Sequence, residues 1–180
     1  MTRYGMPYIL EDTTGRLAGG EFTDIHDRLH FAVRRTAQRD AYVVYNTSPA
    51  ALARAGAIPL VCLAFGADGA LGTVSFAGAP PLPMARYLFA PPGGGAAVRR
   101  FVAADGQTYQ WARRAQPNQE WTCTNATGYV IASYSLKAAG EPEYRGSSGC
   151  ILEIAEQFGA LAPEILASLW IMRHIAAHDL

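Results

Sequence analysis

Lysine is all but missing from this chain: of fifteen basic side chains, one is Lys137 and the rest are arginine. Fifteen acids balance them, so the 180 residues carry no net charge. A balanced, dilute field argues against a nucleic-acid partner and against a protein held on anionic lipid by charge alone. The arginine bias fits a GC-rich coding sequence better than a set of bidentate ion pairs. Cysteine is scarce too. Cys62, Cys123 and Cys150 are an odd set without CxxC spacing, which argues against a disulfide framework or a zinc knuckle and suits reduced thiols in the cytoplasm. Long apolar runs are also lacking. The first eight residues hold no leader-like apolar core, and the last apolar stretch is interrupted at Arg173, well short of the roughly 20 residues a transmembrane segment needs. A cytoplasmic protein with no transmembrane segment is expected.

What is present is a succession of short β-prone runs punctuated by Gly, Pro, Asn and Asp, the pattern of an antiparallel, mainly β domain. Two hairpins are marked. Ile58–Phe65 and Leu71–Phe76 flank Gly66-Ala-Asp-Gly69, and Arg99–Ala103 and Gln107–Arg113 flank Ala104-Asp-Gly106; Asp-Gly supplies the positive φ of a tight turn. Further strands are expected at Tyr8–Glu11, Glu21–Asp24, Leu29–Val33, Ala41–Tyr45, Met84–Ala90, Glu120–Thr124, Tyr129–Leu136 and Cys150–Ala155. Ser48 is placed to cap a short helix with Pro49 in its first turn. Asn46-Thr-Ser48 and Asn125-Ala-Thr127 match the glycosylation pattern but read as turns. Breaker-rich stretches at Ala79–Pro83, Pro91–Gly95 and Gly140–Gly149 are surface loops too short to part domains. A chain of this length makes one core, so residues 1–180 are expected to be a single domain.

The chain ends differently. From Pro163 to Leu180 the residues are helical in pattern, and Ile165, Leu166, Leu169, Trp170, Ile171, Met172 and Ile175 cover most of the helical wheel. A helix apolar on nearly every side has to be enclosed. Arg173 interrupts that surface and must pair with a carboxylate or reach out at the rim. Sixteen residues span about 24 Å, enough to fill a closed barrel.

Asp105-Gly-Gln-Thr-Tyr-Gln-Trp111, Glu120-Trp-Thr-Cys123, Val130-Ile-Ala-Ser-Tyr-Ser135 and Ile171-Met-Arg-His-Ile-Ala176 carry a resemblance that spans most of the chain. They look like a small fungal protein family of unknown function that itself resembles the tubby C-terminal-like superfamily, home of the phospholipid scramblases and the LURP-one-related plant proteins. The resemblance implies a roughly twelve-stranded antiparallel tubby-like barrel around a buried C-terminal hydrophobic helix. It does not carry functional residues. The Lys and Arg cluster with which tubby proteins hold phosphoinositides has no counterpart here, since Arg34-Arg35, Arg99-Arg100 and Arg113-Arg114 are adjacent pairs that would point to opposite faces of a strand. The palmitoylated cysteine-rich segment and calcium-binding stretch of scramblases are missing as well.

Chemistry-bearing residues are few. All four histidines fall in two HxxxH pairs. On the terminal helix, His174 and His178 share a face and are the candidate metal ligands, although the zincin glutamate is absent. His26, Asp27 and His30 are the candidate acid–base group, to be weighed against a plain turn with an ion pair. Tyr109, Trp111, Trp121 and Tyr134 are candidates to line an apolar ligand cavity, against the competing role of core packing. Gly93-Gly-Gly95 is no phosphate loop and Gly146-Ser-Ser-Gly149 no nucleophile elbow, so no cofactor is expected. Two functions stay open: a non-catalytic binding module for a small apolar ligand, a lipid or a protein, and a small enzyme using histidine chemistry on an apolar metabolite.

Overall fold

A computed structural model of the chain describes residues 5–12, 20–37, 41–93, 97–137, 140 and 148–180. Among these residues twelve strands form one sheet. They are β1 Tyr8–Asp12, β2 Gly20–Asp24, β3 His30–Arg35, β4 Ala41–Asn46, β5 Ile58–Ala64, β6 Thr73–Phe76, β7 Leu82–Pro83, β8 Val98–Val102, β9 Thr108–Arg113, β10 Trp121–Asn125, β11 Val130–Ser135 and β12 Cys150–Ile154. The helices are α1 Pro49–Ala55, α2 Met84–Tyr87 and α3 Ala162–His178. Parts of the loops expected at Pro91–Gly95 and Gly140–Gly149 lie outside the described residues.

Every strand pair is antiparallel, in the order β7-β6-β5-β4-β3-β2-β1-β12-β11-β10-β9-β8. Neighbours in sequence pair with each other except β7 and β8, and one pair, at the centre of the sheet, joins strands far apart in sequence. There β1 meets β12, from Tyr8↔Ile154 to Asp12↔Cys150, and joins the first seven strands to the last five. The local turns follow from their residues. Asp68 and Gly69 take φ of 55° and 78° in succession, and Gly106 takes 77°, the conformation Asp-Gly tolerates best. Asn125 closes its turn by accepting hydrogen bonds at Oδ1 from the Thr127 and Tyr129 N–H groups. Ser48 caps α1, its Oγ accepting from the Ala51 N–H at 3.3 Å.

Closure into a barrel is where the architecture departs from expectation. Its end strands are β7 and β8, and among the described residues no hydrogen-bonded ladder joins them, so the sheet is open. Pro80, Pro81 and Pro83 supply no N–H groups to a ladder, and β7 stops after two residues. The run expected as a strand over Met84–Ala90 is instead α2 followed by an isolated bridge, Phe89↔Arg100. The Leu88 N–H donates to Met84 O at 2.7 Å. Met84 and Tyr87, three residues apart, then bury the same side of one helical turn. The β-prone Tyr-Leu-Phe run yields to the opportunity of filling the gap between β7 and β8, both of which α2 contacts.

The sheet curls around α3, as the uniformly apolar wheel requires. Every residue from Glu164 to Met172 is buried, and so is Ile175. The side chains enclosing them come from distant strands. Phe22 of β2 meets the Trp170 ring edge-on at 6.1 Å, and Trp111 of β9 donates its indole N–H to Ser168 Oγ at 2.8 Å. Each fully buried Leu or Ile of the helix is worth about 2 kcal/mol in area removed from water. Arg173 pairs with a carboxylate: its Nη1 lies 3.5 Å from Oδ2 of the fully buried Asp12. Its guanidinium also covers the Tyr134 and Trp170 rings at 5.0 and 5.2 Å. No helix among the described residues is long and apolar enough to cross a membrane.

Candidate functional site

Where α3 leaves the sheet its burial falls off, from buried Ile175 to exposed His178. One turn earlier, His174 stacks on Phe65 with ring centroids 3.9 Å apart and 22° between planes. Its Nε2 lies 2.7 Å from the Gly69 carbonyl oxygen; a carbonyl only accepts, so Nε2 carries the proton and Nδ1 is the remaining nitrogen. His178 follows on the same face, 4.3 Å from His174 between centroids. These rings, with Tyr42 of β4, Trp170, Gly66 and Gly69, line a partly open cavity of about 190 Å³.

Gly69 is fixed here on two counts. Its φ of 78° lies in the left-handed region, and a Cβ at this position would come within 2.4 Å of His178 Nδ1. The β5–β6 turn therefore presses against the end of α3, and the cavity is bounded by elements whose contacting residues, Gly69 and His174, are 105 apart in sequence.

The HxxxH pair of α3 does bring its imidazoles together, but Nε2 of His174 is engaged by the carbonyl. Among the described residues no three His, Cys, Asp or Glu side chains group to hold a metal ion. The other triplet sits on the β2–β3 turn. Asp27 takes φ of 61°, and its Oδ1 lies 3.0 Å from His30 Nε2, while His26 is exposed. Arg28 does not pair with Asp27. It bonds Asp24, Nε to Oδ2 at 2.7 Å, and ties down the chain at Met6 O and Pro7 O. Burial works to raise the Asp24 carboxyl, but the Arg28 side chain and the N–H groups of Ile9 and Arg28 outweigh it and hold the pKa at about 2.

The four aromatic candidates lie in the core. Tyr109 donates to Asp105 Oδ2 at 2.6 Å, and burial followed by that carboxylate pushes its hydroxyl far above the usual tyrosine range. Trp111 bonds Ser168, and Tyr134 donates to Asp12 Oδ2 at 3.0 Å. Trp121 carries the Arg113 guanidinium over its ring at 5.7 Å. Trp121 and Tyr134 also line a hollow of about 220 Å³ beside Arg173. The arginine pair Arg113-Arg114 converges on one carboxylate, Glu120, at 2.8 and 2.9 Å. Arg114 lies beyond β9 at φ 49°, which frees it from strand alternation.

Two further features carry no sequence signal. Glu164, on the buried first turn of α3, accepts from Tyr87 Oη at 3.1 Å and from the Ala104 N–H at 2.9 Å. Burial raises its carboxyl above the ordinary range, and the Asp105 charge adds to that against these two hydrogen bonds. The group latches the β8–β9 turn to the helix. A recess of about 850 Å³ runs over β11 and β12, lined by Gln119, Ser133, Glu153, Glu156 and Gln157 among others, with Tyr129 its one aromatic ring. Tyr42 and Phe65 join the candidate site only through the β4–β5 register, which pairs Tyr42 with Leu63; their rings then meet edge-on at 6.0 Å.

Comparison with known protein families, with curated proteins and with solved structures finds no match to this chain.

Proposed function

We propose that this chain is a non-catalytic binding module of the cytosol, with a tubby-like architecture in which a curled sheet holds an apolar helix and leaves a small ligand cavity at the helix end. The observation that carries the binding reading is the ring of Tyr42, Phe65, Trp170, His174 and His178 around about 190 Å³. A cavity of about 150 Å³ lined by apolar side chains takes up benzene, so this one suits a single ring or a short branched group. An acyl chain does not fit inside. The buried acids Asp12, Asp24 and Glu164 are all engaged by partners from other elements, which supports structural work for them and not turnover. The cytosolic part of the proposal rests on Cys62, Cys123 and Cys150 being free thiols.

The enzymatic reading retains one supporting observation, the two imidazoles in the cavity wall. NMR of the histidine rings separates the two functions. Titration with benzyl alcohol is expected to shift the His174, His178 and Trp170 ring signals saturably, with the compound recovered unchanged. Absence of a shift at any concentration up to its solubility limit would remove the binding reading.

A further inference from the structure

The cavity wall says something about charge. Tyr42, Phe65 and Trp170 contribute aromatic faces, whose quadrupoles attract a cation. No Lys or Arg is among the lining residues. The cavity also sits on the last turns of a 17-residue helix, where the carbonyl ends of the peptide dipoles favour positive charge. Asp68 and Asp179 adjoin the lining residues Gly69 and His178 in sequence and are exposed. Among the described residues three arginines are near this end of α3; Arg113, which shares a hollow with Ala176 and Ala177, is paired with Glu120. Arg173 lies over Trp170, its charge answered by buried Asp12, and Arg99 donates to Leu180 O beyond the helix. Trp170 thus already accepts one cation and Phe65 carries the His174 ring on one face, which leaves the Tyr42 ring and the second face of Phe65 to serve another.

From this we infer that the cavity takes a methylated ammonium group, a specification that rests on the binding reading above. A trimethylammonium head has about the bulk of the single ring the volume admits. Its charge is spread over methyl groups, so it enters an aromatic wall without the full desolvation penalty of a primary amine. The same head occurs on free quaternary ammonium metabolites and on choline lipids, which could present it from a membrane surface without inserting an acyl chain.

The test compares choline with 3,3-dimethylbutan-1-ol, its uncharged isostere, by calorimetric titration of the whole chain. Choline is expected to bind at least about tenfold more tightly, the range of a partly desolvated cation–π contact. Phe65→Leu and Tyr42→Leu keep apolar bulk and remove a ring; each is expected to weaken choline about fivefold or more while leaving the isostere within about twofold. Tyr42 is only half-buried, so its variant keeps the test valid if Phe65→Leu does not fold. Flotation with phosphatidylcholine and phosphatidylglycerol vesicles separates the sources. Retention on the first alone assigns the lipid headgroup, and choline binding without retention assigns a free metabolite. Equal or tighter binding of the isostere overturns the cation while sparing the binding module, and binding of neither compound overturns both. Choline binding unaffected by either variant, or retention on phosphatidylglycerol alone, also overturns the assignment.

Discussion

Asp24 and Glu164 are both buried acids on inner elements, yet their surroundings push them in opposite directions. Asp24 titrates near 3.8 when unfolded and near 2 in the fold. Its contribution is complete above the unfolded value and is lost as pH falls through the folded one, a term of about 2 kcal/mol. Asp24→Asn is therefore expected to lower stability at neutral pH by about that amount or more, since Arg28 loses its partner. The same variant flattens the acid limb of stability between about pH 4 and pH 2; urea unfolding across that range reads both effects. Glu164 has its carboxyl raised, so the folded state holds this proton longer than the unfolded chain does. Its contribution is full below the unfolded value and declines as pH rises through the folded one. Glu164→Gln is expected to remove that decline, seen as a shallower loss of stability from acid toward neutral pH in the same measurement. Ser168 tests a neutral buried bond. Ser168→Ala strands the Trp111 indole N–H inside the core and is expected to destabilise by about 1–3 kcal/mol in urea unfolding.

At the scale of single elements, α3 makes the sharpest prediction. A helix lying on a surface shows mutational sensitivity with a period of 3.6 residues. Here Ile165, Leu166, Leu169, Trp170, Ile171 and Met172 are all at most 1% exposed. Alanine at each is expected to destabilise by about 2–5 kcal/mol with no such period, as read by thermal or urea unfolding of the six variants. That enclosure was legible in the wheel of α3, because an apolar surface on all sides has one physical solution in water. Most strands were legible as well, since Asp-Gly turns and Gly or Pro breaks mark their ends. The region after β6 was not. Met84–Ala90 has strand-forming residues, but strand or helix was decided by what fits between β7 and β8, a tertiary matter. Barrel closure was unreadable for the same reason. The candidate site was half legible: HxxxH places His174 and His178 on one face, whereas Tyr42 and Phe65 reach them through strand register and the press of the Gly69 turn. The four aromatics expected to line a cavity are buried, and the hydroxyl or indole groups of Tyr109, Trp111 and Tyr134 find partners in the core.

Across the whole molecule, the central pairing of β1 with β12 decides how the fold can come apart. The first seven strands form a sequential meander, and so do the last five, but neither half encloses α3 by itself. Phe22 and Phe65 reach the helix from one half, Trp111 and Tyr134 from the other. Losing the β1–β12 ladder would expose an apolar helix along with the inner faces of both halves, so no partly opened state that frees α3 keeps the core dry. Contacts between such distant segments also form late and at high entropic cost. Amide hydrogen exchange is thus expected to give one common opening free energy for β1, β12 and α3 from Leu166 to Met172, equal to that of global unfolding. The exposed end of α3 at His178 should exchange far sooner. If the helix amides opened at markedly lower free energy than those of the β1–β12 pair, α3 would be a separable unit docked on the sheet, and the cavity at its end would have to be understood as a hinge between two parts.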